Sequence, residues 1–229
     1  MKLRAILVAA ALMSGASPAL AQSETGTRLG GRPAQLPDRG SDVDRARIWM
    51  ERYAACIVRR NPKRVGEVLE GQVGEDGPML KLIEGNYDEC LSTGGGAEGI
   101  SMARRLLRGA LYADRVTSLA SRIGPVLPAA GPITYPQPGQ ASSQVALVRF
   151  GECVGRAEPV AALGFVAARA ASEGEKTNLQ LLRPHLAGCI AAGQTIQLSA
   201  SVLEAALAEA IWRMTQRGAG RASLPEVPQ

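Results

Sequence analysis

Apolar residues along this chain recur at the three-four spacing of one helical face, and they do so in two matching series. Trp49, Met50, Tyr53, Cys56 and Ile57 form one such face; Ala146, Leu147, Phe150, Cys153 and Val154 form the other. Each series predicts a helix whose cysteine points inward. Ser41 and Asp44 supply a capping box for the first of these helices. Pro62 and Pro159 then restart the chain, and each predicts a second, shorter helix, with Asn61 a good N-cap for one and Glu158 a weaker cap for the other. A third helix is expected to begin near Asn86 in one series and near Pro184 in the other, carrying Cys90 followed by Leu91, or Cys189 followed by Ile190. The last helix has inward positions Ala103, Leu106, Leu107, Ala110 and Leu111, matched by Leu203, Ala206, Leu207, Ala210 and Ile211. The expected architecture is all-α, with about four helices in each series.

The two series read as an internal duplication with a period of about a hundred residues. Tyr53, Cys56, Arg59 and Pro62 recur as Phe150, Cys153, Arg156 and Pro159, and the late run Ala110, Leu111, Tyr112 recurs as Ala210, Ile211, Trp212. Residues 41–121 form the first expected helical repeat and residues 143–216 the second. Between them, residues 122–142 carry Pro125, Pro128, Pro132, Pro136 and Pro138 among glycines and predict a semi-extended, proline-rich linker. Residues 22–40 and 217–229 lack apolar periodicity and are expected to be a disordered leader and tail. A helical unit of this size has a marginal core, so a covalent staple or packing between the copies is expected.

The N-terminus changes the picture by setting the compartment. Met1 to Arg4 form a basic start, Ala5 to Met13 an apolar stretch too short for a mature transmembrane helix, and Ala19, Leu20, Ala21 a small-residue cleavage site. Residues 1–21 therefore read as a signal peptide cleaved near Ala21, which sends the mature chain to the periplasm or outside the cell. The formal charge is +5, two units of which come from Lys2 and Arg4, so the exported chain is only weakly basic. With 3% aromatic residues and no block of like charge, the chain lacks the basic stripe and stacking platforms of a nucleic-acid binder.

An exported chain with four cysteines is expected to oxidise them, and four cysteines allow three connectivities. The duplication favours Cys56 with Cys90 and Cys153 with Cys189, because swapped pairings would make the copies interpenetrate. In the chain-entropy description each bridge contributes roughly 3 to 4 kcal/mol. A redox centre would need a close C-x-x-C spacing and a zinc site partners at finger spacing, and neither occurs. No cofactor and no metal are expected.

Few side chains suggest chemistry. Arg59 and Arg156 are kept in both copies at the last turn of the first helix, where a cation meets the free carbonyls. They are also the candidate anion-binding residues, as a pair of equivalent sites for a phosphate or carboxylate. His185 is the one histidine and has no nucleophile at a defined spacing. Gly94, Gly95 and Gly96 lack the G-K-[ST] that completes a phosphate loop, and the adjacent carboxylates Asp88 and Glu89 diverge on a helix. No catalytic residue is assigned.

The duplicated (F/Y)-x-x-C-Φ-x-R-x-x-P segments, each with a downstream cysteine, resemble those of a group of exported alphaproteobacterial proteins without an assigned activity. The resemblance covers about residues 50 to 216 and rests on Tyr53, Cys56, Arg59, Pro62, Cys90, Phe150, Cys153, Arg156, Pro159 and Cys189. It implies export and a helical fold, and no catalytic residue carries over. The sequence thus favours a non-enzymatic interaction module of the cell envelope, offering two similar helical surfaces to a protein or polymer. The alternative is a carrier of a small apolar ligand, which a pocket of several hundred cubic ångströms lined by Leu and Ala would favour and a filled core would disfavour. An exported hydrolase using Glu or Asp is the third reading.

Overall fold

The computed structural model describes residues 41–85, 89–90, 104–136, 142–193 and 195–218. The expected signal peptide, leader and most of the tail, together with Asn86, Asp88, Leu91, Gly94 to Gly96 and Ala103, lie outside the described residues. Among those described there are nine α-helices and no strand. No helix among them is long and apolar enough to cross a membrane.

Helix α1 (Asp42–Arg60) begins at the expected capping box, in which Ser41 Oγ accepts from Asp44 N at 3.1 Å and Asp44 Oδ2 accepts from Ser41 N at 3.1 Å. Two otherwise orphaned donors are satisfied in this way. Its inner face buries Trp49, Met50, Cys56 and Ile57 as the spacing predicts. Helix α2 (Pro62–Glu70) starts with proline at its first position, and α3 (Gly77–Ile83) buries Met79 and Leu82. After α4 (Arg104–Ser118) come the short α5 (Ala120–Val126) and a 3₁₀ turn (Leu127–Ala129). The second half consists of α6 (Ser143–Ala157), α7 (Pro159–Ala167), α8 (Glu173–Leu186) and a 3₁₀ turn ending at Cys189, closed by α9 (Ala200–Gly218).

The junctions α1–α2 and α6–α7 have nearly the same backbone. Asn61 lies at φ −141°, ψ 60° and Glu158 at φ −139°, ψ 73°. Their N–H groups donate to Ile57 O and Val154 O, the carbonyls four residues back. Neither side chain makes the expected cap hydrogen bond. Proline at the first helical position removes one donor, which leaves the cap less to satisfy.

Both within-half disulfides are present, with Cα–Cα distances of 5.7 Å for Cys56–Cys90 and 5.6 Å for Cys153–Cys189. Their surroundings differ. Cys56 and Cys90 are buried, whereas Cys153 is exposed and Cys189 half-buried, so the expectation that both first cysteines point inward holds only for Cys56. The reason is a rotation of the buried face on α6: Val145, Val148, Phe150, Gly151 and Val154 line it, and Ala146 and Leu147 are half-buried.

The third helix of the second half also departs from expectation. It starts at Glu173, well before Pro184, because Ser172 Oγ accepts from Glu175 N at 3.2 Å and fixes the N-terminus there. Cys189 lies beyond its end. In the first half, α3 is a separate, earlier helix, and Glu89 and Cys90 are helical as expected.

Helices α4 and α9 form the centre. Gly109 packs on Ala205, and a Cβ on Gly109 would collide with the Ala205 Cβ. Gly151 of α6 lies against the Ala206 carbonyl of α9, again leaving no room for a side chain. Beyond the Gly109–Ala205 contact, Arg108 meets Glu209 and Tyr112 meets Arg213 across the same seam. One apolar core includes Ile57, Leu82 and Leu111 from the first half and Phe150, Phe165 and Ile211 from the second. The segment expected as a semi-extended linker contributes as well. It is helical or 3₁₀ from Ala120 to Ala129, and Ile123, Leu127, Ala130 and Ile133 are buried. Its apolar residues gain more from the core than its prolines lose in hydrogen bonds, since none of the prolines sits in the interior of a long helix.

A buried polar cluster crosses the central seam. Arg108 grips Glu209 through Nε and Nη2, both at 3.2 Å, and donates from Nη1 to Glu75 O at 2.8 Å. Glu209 also accepts from Arg213 Nε at 2.9 Å and Gln144 Nε2 at 2.7 Å. The Tyr112 hydroxyl faces the Val68 and Leu69 carbonyls at 3.2 and 3.3 Å and accepts from Arg213 Nη2 at 2.9 Å. The cluster therefore satisfies carbonyls at the end of α2 while joining α4, α6 and α9.

The contrast in disulfide exposure yields a test. Mild thiol reductant applied to the folded protein, followed by alkylation and peptide mapping, should label Cys153 and Cys189 well before Cys56 and Cys90, because exchange requires a thiolate to reach the sulfur. Equal labelling of both pairs would contradict the burial described.

Candidate functional site

The candidate site is a groove of about 390 Å³ where the two halves meet. Helix α1 contributes Glu51, Arg52 and Ala55, and α4 contributes Ala110, Ala113, Asp114 and Thr117. The opposite wall is the end of α7 and the turn after it, Val166 to Arg169, and Glu204 of α9 closes one end. Small side chains create the space: five of the lining residues are alanines, which hold the helices at working distance without filling the gap. Thr117 Oγ1 donates to Val166 O at 3.3 Å and ties the floor to the wall.

Behind Glu204 lies a second polar cluster. Arg47 of α1 forms a bidentate pair with Glu175 of α8, with Nη1 at 3.1 Å from Oε2, and reaches Glu204 Oε2 at 3.2 Å through Nη2. Arg47 and the Glu175 side chain are each 7% exposed, so this is a desolvated pair rather than a surface contact. Glu175 Oε2 also accepts from Ala171 N at 2.6 Å, and Glu51 Oε1 accepts from Ala170 N at 2.8 Å. Ala171 has φ 61°, the left-handed region that a residue with a Cβ rarely adopts, and these two carboxylates hold the turn in that shape. A recess of about 30 Å³ adjoins the groove, sharing Glu51, Ala110 and Glu204 with it, and is lined by Arg47 and Ser201.

The carboxylates around the groove hold their protons more tightly than usual. Burial pushes Glu204 up to about 7; Arg47 opposes the shift and repulsion from Glu51 and Glu175 adds to it. Glu51 is raised by burial, against the Ala170 N–H and Arg47, and Asp114 is raised by burial, against Arg115 and Arg59. One guanidinium thus serves three neighbouring carboxylates, Glu51, Glu175 and Glu204.

The residues singled out in the sequence occupy other places. Arg156 donates to Ala130 O at 3.0 Å, to Gly131 O at 2.7 Å and to Glu152 Oε1 at 2.8 Å, so it pins the segment after the first 3₁₀ turn. Arg59 is exposed at the end of α1, and its charge acts on Asp114. The matched arginines do not form equivalent sites. His185 Nε2 lies 3.6 Å from Glu158 Oε1 on a half-exposed surface, and Glu89 pairs with Arg60. Arg47, Glu51, Glu175 and Glu204 were not legible as a group, since their partners lie up to 157 residues apart. The one local signal was Ser172 followed by Glu175, a capping-box spacing whose acid turned inward to Arg47.

The chain matches no family model, no curated protein and no solved structure. The two disulfides fit an oxidising, non-cytoplasmic compartment.

Raised proton affinity in the folded state has a definite sign. Between the ordinary carboxylate value near 4.5 and about 7, the unfolded chain loses the Glu204 proton while the folded protein keeps it, so stability falls as pH rises through that window. The limit is on the order of 3 kcal/mol. Urea midpoints from pH 5 to pH 8 should therefore fall in the wild type and change less in Glu204→Gln, which keeps the Arg47–Glu175 pair. Parallel pH dependence in both proteins would contradict the assignment.

Proposed function

We propose that this protein is an exported, non-enzymatic binding protein of the cell envelope, and that the groove between its halves takes a small, largely apolar ligand with one hydrogen-bond-donating end. The alanine-walled groove of about 390 Å³ is the observation that carries this reading. Its volume falls within the range of small-molecule sites, and its apolar walls with a few polar groups match their usual composition. Glu51, Asp114 and Glu204 offer carboxyl oxygens to the donor end, beside Arg52 and Arg169, in a lining otherwise made of Ala, Val and Thr.

Residues 1–21 act in this reading as a cleaved signal peptide, and the two halves are copies of one ancestral unit. Supporting the duplication are the near-identical junctions at Asn61 and Glu158 and the bridges spanning 34 and 36 residues. So does the packing of α4 on α9, the two helices whose runs Ala110, Leu111, Tyr112 and Ala210, Ile211, Trp212 correspond. The interaction module with two similar surfaces has less support, because the α4 and α9 faces that correspond are spent on each other.

Three six-carbon probes test the proposal. Hexylamine and hexanol should shift amide resonances of Ala110, Ala113 and Ala167 with millimolar affinity, and ionised hexanoate, which offers no donor, should bind at least tenfold more weakly. Ala55→Trp, which fills the groove from the half-buried side of α1, should abolish the effect without loss of helix content. Equal binding of hexanoate, or shifts elsewhere that survive Ala55→Trp, would overturn it.

A further inference from the structure

The turn between α7 and α8 forms a wall of the groove, and its geometry depends on the buried charges. Ala168 and Arg169 face the groove directly. The next two residues are held by carboxylates from the cluster: Ala170 N donates to Glu51 at 2.8 Å and Ala171 N to Glu175 at 2.6 Å. Within the turn, Ser172 N donates to Arg169 O at 3.1 Å. Ala171 at φ 61° is a strained conformation that persists only while its surroundings enforce it.

The enforcing groups are short of positive charge. Glu204 on α9 faces Arg47 and Glu51 from α1 and Glu175 from α8, and Arg169 of the turn acts on Glu51. Arg52 of α1 and Asp114 of α4 also line the groove, Asp114 being balanced by Arg115 and Arg59. With all three cluster carboxylates ionised, Arg47 offsets one charge, and Glu51 and Glu204 repel each other across the end of the groove. Holding one proton removes that repulsion. Arg47 is then left to Glu175, the carboxylate that fixes Ala171.

We propose that the Ala168–Ser172 turn is a proton-controlled gate on the groove, closed while the Arg47–Glu51–Glu175–Glu204 cluster holds a proton and released when that proton is lost. The gate deepens the binding reading by adding regulation to the same groove, but its test reads the turn and not a ligand, so failure of probe binding leaves it standing. The turn would be held on the acidic side of neutrality and released on the alkaline side. Glu204 is the group whose titration falls in that range, as burial pushes it to about 7.

Amide hydrogen exchange in the oxidised full chain provides the test, with protection factors corrected for the intrinsic pH dependence of exchange. Ala170 and Ala171 should lose at least tenfold in protection between pH 6 and pH 8, while Leu207, buried in α9, loses less. Glu204→Gln, which mimics the protonated form, should keep both turn amides protected across the range, and Glu51→Gln should reduce the change by removing the repelling partner. Constant protection in the wild type, a loss at Ala170 and Ala171 no larger than that at Leu207, or an unchanged loss in Glu204→Gln would each overturn the gate.

Discussion

The close approach of α4 and α9 is the constraint on which the other placements depend. Gly109 against Ala205 lets the two helices touch, and Gly151 lets α6 close on α9 in the same way. Where helices approach this closely, dispersion contacts are dense and side-chain cavities small, so the central three helices act as a rigid spine. Charges then lock the register. Arg108 and Glu209 are 3% and 1% exposed on their side chains, and removing either partner would leave an uncompensated buried ion at a cost of about 3–5 kcal/mol. That penalty acts less as a source of stability than as a rule against sliding, because no shifted alignment of α4 on α9 keeps the pair.

From this spine the groove follows. Helix α1 and the end of α7 both border α4, and the line where they meet is occupied by alanines too small to close it. Glu204 projects from α9 into the end of that line, where the nearest compensating charge is Arg47. The same central packing that makes the molecule one body therefore places a carboxylate where it is neither well hydrated nor fully paired. Function is argued from that place, since fold alone assigns none.

Much of the scaffold was legible in sequence. The cysteine pairings followed from the matched spacing of the four cysteines, the start of α1 from Ser41 and Asp44, and the inner faces of α4 and α9 from Leu106, Leu107, Leu111 and Leu203, Leu207, Ile211. These features are local or repeated, and local spacing carries them. The exposure of Cys153 was not, because a small rotation of α6 that seats Gly151 on α9 carries the cysteine outward. Residues 122–142 read as a linker from their prolines, yet Ile123, Leu127 and Ile133 are buried by a core supplied from both halves. The buried charges left the weakest trace. Arg47, Arg108 and Glu209 sit beside apolar residues in sequence and look like ordinary solvated positions until a partner more than a hundred residues away is placed opposite them.

One core predicts one transition. The chain has two tryptophans, and Trp49 lies in the first half while Trp212 lies in the second. In Trp49→Phe and Trp212→Phe, the remaining tryptophan reports one half at a time. If the α4–α9 seam joins the halves as described, the fluorescence midpoint in urea coincides with the far-UV circular dichroism midpoint in each variant. A first-half and a second-half signal that separate from the circular dichroism curve, one melting before the other, would contradict the single body on which the groove depends.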